Sequence, residues 1–315
     1  MTDILQKFMF PDATVRGEFV ELNATWRHVL AHQDYPLPVQ NLLGELLSAA
    51  ALLCGNLKFD GSMIMQIHGD GAIKLLVVEC NDTMQMRAMA KLAEDAVISD
   101  DASLSELVNA NGRGRFAITL DPNNKMPGQQ AYQGIVPLEG DSIAEVIETY
   151  MKQSEQLDTK LWLACNGHVS RGLLLQRLPN HGGKLSRTEH DIHTGADDDE
   201  EETWQRASVL GTTLKHDELV STDIETLMHR LFWEETLRIF EPLAVTFSCS
   251  CSREKVGNML TMLGEAEVSE AVASLGKLDI NCDFCGRPYS FDAVDCAQLF
   301  LPADIKVSPD PDQTH

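Results

Sequence analysis

Phe247-Ser248-Cys249-Ser250-Cys251-Ser252, followed further on by Cys282-Asp283-Phe284-Cys285-Gly286, dictates how the end of this chain must fold. Zinc prefers a tetrahedron of soft thiolates, and two cysteines one or two residues apart can ligate from a single tight turn. Gly286 suits a backbone that folds close to the metal. The two pairs predict a closed site on Cys249, Cys251, Cys282 and Cys285 with no position left for substrate, which is structural rather than catalytic zinc. A domain as small as 247–301 buries little apolar surface unaided. Metal binding, roughly 10–16 kcal/mol for structural zinc sites, is therefore expected to supply most of its folding free energy. An iron–sulfur cluster fits less well, since C-x-C is uncommon among cluster spacings. A thioredoxin-like dithiol lacks its βαβ context.

Thiolates held on zinc stay deprotonated, which is the form oxidants attack. Each has a neighbour close in sequence that can resolve a sulfenic acid into a local disulfide. Pairing Cys249 with Cys251 and Cys282 with Cys285 would remove all four ligands. Chemistry alone leaves two uses open: a switch that converts oxidation into local unfolding, and a permanently reduced structural zinc. Cys54, Cys80, Cys165 and Cys296 stand singly in mostly apolar surroundings and read as small core residues. Cys296 lies near the four, so a non-standard pairing also stays open.

Working back toward the N-terminus, residues 1–178 read as an α+β domain. β-rich runs recur at Gly17–Leu22, Met63–His68, Ala72–Cys80, Arg115–Leu120, Gln133–Val136, Leu161–Ala164 and Gly172–Leu178. Gly69-Asp70-Gly71 predicts a hairpin turn between the second and third, on the ground that glycine tolerates positive φ. Pro38 suits a helix first turn, and Val39–Leu53 carries enough Leu and Ala for a mostly buried helix. Ser142–Gln153 predicts an amphipathic one. Strands that follow one another directly, with helices between some, argue against a doubly wound sheet.

From Pro179 to Gly195 apolar residues nearly vanish, and Asp197–Glu202 is six acids in a row. Like charge at that density resists compaction, so a mobile linker is expected over 179–246. Within it, Thr222 and Glu225 have the spacing of a capping box. Ile224, Leu227, Met228, Leu231 and Phe232 would then share one helical face that needs an apolar partner. Residues 302–315 are expected to be a disordered tail.

The 315 residues carry 25 basic and 48 acidic side chains, a net charge of −23. That balance repels phosphate backbones and anionic lipid, so neither nucleic acid nor membrane is an expected partner. Met1–Asp12 lacks a basic stretch followed by an apolar one, so no signal peptide is expected. The longest apolar run, around Leu46–Cys54, is too short to span a bilayer. The protein is expected in the cytoplasm, where thiols are kept reduced.

At this point the chain resembles the heat-shock-protein-33 family, the redox-regulated holdase chaperones of bacteria and organelles. The cysteine pattern carries the resemblance, with Phe247 before it and Tyr289 after it. Matching strings in the first domain are Arg16-Gly17-Glu18, Leu43-Gly44-Glu45-Leu46-Leu47, Leu57-Lys58-Phe59-Asp60-Gly61 and Gly69-Asp70-Gly71. Tyr132-Gln133-Gly134-Ile135-Val136-Pro137-Leu138 and Ser154-Glu155-Gln156-Leu157 complete them.

The resemblance implies a form that is inactive when reduced, with zinc on Cys249, Cys251, Cys282 and Cys285. Oxidation would form the Cys249–Cys251 and Cys282–Cys285 disulfides, release zinc and unfold the linker. The surface so exposed would capture unfolding client proteins without ATP, and the active form would be a homodimer. Ile224, Leu227, Leu231 and Phe232 are the candidate client-binding residues. The acidic run makes the linker look longer than the family needs.

Two other classes of function compete. A zinc domain used only to dock a protein partner would keep its metal under peroxide or hypochlorite. An enzyme is not expected. Four thiolates close the site, and His168, His181, His190 and His193 fall in loop-like sequence without an H-E-x-x-H frame. No Gly-x-x-x-x-Gly-Lys-Ser/Thr is present, so a P-loop is absent.

Overall fold

The structure is a computed structural model that describes residues 3–11, 13–57, 59–125, 130–178 and 196–301, the side chains of 196–200 excepted. Lys58, the stretch from Pro179 to Gly195 with its three histidines, and the tail from 302 lie outside the described residues. The chain divides into two compact units, Met1–Ser248 and Cys249–His315.

The larger unit opens with β1 (Ile4–Met9), β2 (Val15–Leu22), α1 (Ala24–Leu30) and α2 (Leu37–Cys54). β3 (Gly61–His68), β4 (Ile73–Asn81), β5 (Gln85–Leu92), α3 (Leu104–Val108), β6 (Arg115–Pro122) and β7 (Tyr132–Pro137) follow. Then come α4 (Ile143–Ser154), β8 (Thr159–Cys165) and β9 (Ser170–Arg177). Three helices, α5 (Ala196–Thr212), α6 (His216–Ser221) and α7 (Ile224–Phe232), lead to the short strands β10 (Arg238–Ile239), β11 (Leu243–Ala244) and β12 (Thr246–Phe247). The first sheet runs β10-β1-β2-β9-β8 with β11 also on β1, and the second runs β12-β5-β4-β3-β6-β7. All the expected strands of this unit are present. So is the α+β class.

Pro38 stands in the first turn of α2, as expected, and the helix touches strands of both sheets. Among the described residues α2 alone is long and apolar enough to cross a membrane. It is 78% buried within the protein, which marks it as the core helix. It is also longer than the Leu46–Cys54 run suggested. Cys54, Cys80 and Cys165 are buried, as small core residues should be.

The expected β3–β4 hairpin forms, with Met63 opposite Cys80. Its glycines serve a different purpose from the one expected, because neither has positive φ. A Cβ on Gly69 would strike the Ile73 carbonyl, and one on Gly71 the Glu106 carbonyl. Both positions are closed to side chains by neighbouring backbone.

The first sheet is buried on both faces, and this explains the apolar run in β9. Leu174 joins Leu5, Val20 and Leu22 in the core around α2. Leu173 and Leu175 point the other way and join Phe8, Phe10, Val15 and Phe19 in a second core. α5, α6 and α7 cover that second face. Leu219, Ile224, Leu227, Met228, Leu231 and Phe232 are all buried in it. Phe8 lies opposite Gly17 across the β1–β2 pair, where a Cβ would enter its ring.

Two local expectations need correction. Asp197–Glu202 belongs to α5, which starts at Ala196. Acidic residues are compatible with the first turns of a helix, where the dipole favours negative charge. The cap of α7 is Asp223, whose carboxylate accepts from the Thr226 N–H at 2.9 Å, while Thr222 ends α6.

Glu18 is a buried carboxyl on the inner face of the first sheet, and Glu45 of α2 is a partly buried one. Burial pushes Glu18 up to about 7 against the opposing pull of Lys7 and Arg16, and burial pushes Glu45 up to about 7. An ordinary glutamate titrates near ~4.3, so the folded state binds the extra protons between these values. Stability from these groups is full below the lower value and is lost as pH rises through the upper one, by about 1.4 kcal/mol per unit per carboxyl. The urea midpoint should therefore fall between pH 5 and about 7.5, and Glu18→Gln with Glu45→Gln should flatten the fall. An unchanged slope in the double variant would contradict this.

Candidate metal centre

The smaller unit contains α8 (Arg253–Leu263), α9 (Glu265–Leu275), β13 (Lys277–Asn281), β14 (Pro288–Asp292) and α10 (Ala293–Leu299). Its core is Leu260, Val268, Val272, Tyr289, Phe291 and Cys296, with Cys251 and Cys282 packed at its margin. A core of six side chains is small for a unit of this length.

Each cysteine pair sits where local chemistry bends the chain. Cys249 and Cys251 precede α8, whose cap Ser252 accepts from the Lys255 N–H at 3.2 Å. Cys282 and Cys285 occupy the turn that joins β13 to β14. There the Gly286 N–H donates to the Cys282 carbonyl at 2.8 Å, and the Cys282 N–H donates to the Arg287 carbonyl at 3.0 Å. Gly286 has φ +66°, a left-handed conformation that glycine adopts freely.

The four Sγ atoms lie within 4.8 Å of one another. Cys249 and Cys282 are 3.7 Å apart, and Cys251 and Cys285 are 3.4 Å apart. A tetrahedron with zinc–sulfur bonds of about 2.3 Å has edges of about 3.8 Å, so the spacing suits one ion. Cys296 is buried in α10 and stands outside the group of four.

Tyr289 donates its hydroxyl to Cys251 Sγ at 3.0 Å. Burial raises the Cys251 thiol, but bonds from Tyr289 and the other thiols outweigh it and bring it down to about 7. Burial and the neighbouring thiols push Cys285 up to about 12. Four thiols this close cannot all ionise unaided, and a divalent cation is what would let them. Tyr289 stood in the sequence only as the residue following the cysteine pattern, with its bond to Cys251 not expected. Its reach to Cys251 depends on the β13–β14 register, in which Ile280 faces Tyr289.

The candidate client-binding residues Ile224, Leu227, Leu231 and Phe232 are placed together, on the buried face of α7. The Phe232 ring centroid lies 5.5 Å from those of both Phe8 and Phe10. Arg171 of β9 holds this layer down from the sheet. It pairs with Glu21 at 2.7 Å and donates to the carbonyls of Leu219 at 3.1 Å and Thr222 at 2.5 Å. Arg171 was not singled out in the sequence, since nothing local marks a strand arginine whose partners lie on other elements. His168 is exposed.

A two-sheet α+β unit followed by a small four-cysteine unit is the architecture of a known class of chaperone. The fold matches the crystal structure of the 33 kDa chaperonin (heat shock protein 33 homolog) from Thermotoga maritima, with a TM-score of 0.74. Identity is 19%, over 95% of this chain and 98% of that one. The family model described as Hsp33 protein matches residues 3–292. Curated relatives named 33 kDa chaperonin include that of Chromobacterium violaceum, 46% identical over 95% of this chain and 94% of its own. That of Pseudomonas aeruginosa is 44% identical over 96% of each. The chain belongs to the Hsp33 family.

Proposed function

We propose that this protein is a redox-regulated, ATP-independent holdase of the cytoplasm that binds unfolding client proteins. The observation that carries the proposal is the group of four thiols, built from two short-spaced pairs and set in a unit with a small core. In the reduced state Cys249, Cys251, Cys282 and Cys285 would hold one zinc ion, whose charge would keep them as thiolates. Peroxide or hypochlorite takes two electrons from one thiolate of each pair to give a sulfenic acid. The neighbouring thiolate displaces water or hydroxide from it and closes the local disulfide. Cys249–Cys251 and Cys282–Cys285 leave no ligand for the metal, and the smaller unit loses its main stabilisation. Release of the preceding helices then uncovers the face of the first sheet that carries Phe8, Phe19 and Leu173. The exposed form associates as a homodimer.

The test is light scattering from an unfolding client, with this protein added either reduced and zinc-loaded or pre-oxidised. Suppression by the oxidised form alone is the expected result. Failure of both forms, from protein shown to be folded when reduced, would leave a static zinc domain that docks a partner.

The α7 face is proposed to contact clients once released. Leu227→Ser with Leu231→Ser should then weaken capture by the oxidised protein several-fold. Unchanged capture would remove these residues from the client surface.

A further inference from the structure

A cavity of about 260 Å³ lies within the larger unit, between the inner face of the first sheet, the end of α2, the second sheet and the end of α4. Leu53, Met63, Ile118, Leu120, Met151 and Leu157 supply apolar wall. Arg16 enters it from β2. Its Nε donates to Gln176 Oε1 at 3.0 Å and its Nη2 donates to the same oxygen. That acceptor is neutral. Among the described residues Nη1 makes no hydrogen bond, and no carboxylate lies within 4.0 Å of the guanidinium. Glu18, two residues along the same face, interacts with it coulombically, and burial pushes that carboxyl toward its neutral form.

A guanidinium half-buried against an apolar wall, with only an amide as its protein partner, gains a strong charge-assisted hydrogen bond when a carboxylate completes it. Pockets that bind small molecules have this composition: mostly apolar lining with a few converging polar groups. The volume is just under the ~300 Å³ at which drug-sized sites begin, so the occupant must be small.

The mouth adds a selective element. Glu155 is exposed there and held by Tyr150, which donates to it at 2.9 Å, and by Tyr132 at 3.5 Å. A second negative charge on the ligand would meet it. Gln156, between Glu155 and Leu157, has φ +58°, a conformation uncommon for a residue with a side chain. The loop thus holds a strained turn where it borders the cavity. Arg16, Leu57, Glu155 and Leu157 line it and Tyr132 reaches Glu155, although the thiol chemistry uses none of them.

We propose that this cavity binds a small monocarboxylate with an apolar tail, its carboxylate on Arg16 and its tail among Ile118, Leu120 and Met151. Octanoate is the probe, titrated calorimetrically into the reduced full-length protein. One site per chain is expected, with a rise in Tm on saturation. Arg16→Gln should weaken binding at least tenfold. Leu120→Phe, which fills the cavity without touching the guanidinium, should weaken it comparably, so that misfolding of one variant leaves the other informative. Octanol, which keeps the tail and lacks the charge, and octanedioate, which adds a second charge, should both bind at least tenfold more weakly. The proposal is overturned if octanoate does not bind, binds at many sites, or binds both variants as it binds the natural chain.

Discussion

If the four thiols hold zinc as proposed, stripping it from the reduced protein with a chelator is expected to unfold residues 249–301 while the larger unit keeps its structure. The smaller unit has six buried core side chains, and its β13–β14 hairpin is closed by the Cys282–Gly286 turn. Three short helices and one hairpin around so small a core cannot balance the conformational entropy of ordering such a chain. A structural zinc site contributes on the order of 10–16 kcal/mol, more than a small domain's whole stability. The measurement is amide hydrogen exchange. Ile280, Tyr289 and Phe291 should lose protection on chelation, whereas Leu174 and Val78 should keep theirs. Retained protection in β13 and β14 would show that the core of this unit stands without metal. Tyr289→Phe is expected to act in the same direction but mildly, because it removes one hydrogen bond to Cys251 and leaves the ligands in place.

The second large effect is expected from Arg171→Met. Arg171 is only 9% exposed and satisfies three acceptors at once: the Glu21 carboxylate and the carbonyls that end α6. Methionine fills similar space but leaves two carbonyls unpaired and strips the nearly buried Glu21 carboxylate of its counter-charge, with only the Asn23 side-chain amide still donating to it. Breaking a buried pair from one side costs about 3–5 kcal/mol. That loss falls on the attachment of α6 and α7 to the sheet. The variant should be cleaved by protease between Gly211 and Glu235 under reducing conditions, and it should suppress client aggregation without any oxidant. Adding Glu21→Gln should restore part of the attachment, since the orphaned charge is then gone. A reduced variant that resists protease and stays inactive would mean that Arg171 does not hold the layer in place.

The four cysteines were legible because each pair is local: one or two residues separate the ligands, and the turn chemistry travels with them. α2 was legible from Pro38 and its run of Leu and Ala. β1 and β5 were not. Gln85–Leu92 is rich in Met, Ala, Lys and Leu, which favour helix, and it is a strand because β4 and β12 pair with it on either side. β1 hides behind Gln6 and Lys7, polar residues whose ends reach the Phe240 and Gly55 carbonyls. The cap of α7 lay one residue from its expected place, because Thr222 and Asp223 both offer a side-chain oxygen and the end of α6 claims the first. The contacts of Arg171 and of Tyr289 were not legible, for a shared reason. Their partners are brought by sheet register, which no short window of sequence contains.

The lengths of α6 and α7, six and nine residues, have a consequence for temperature. Helices shorter than about 12–15 residues are marginal in water by themselves. Neither can lift off the sheet and remain a helix, so detachment and melting are one event. That event exposes backbone and apolar side chains together, which gives it a large positive heat capacity and a steep response to warming. These two helices are therefore a thermal fuse as well as part of a cover.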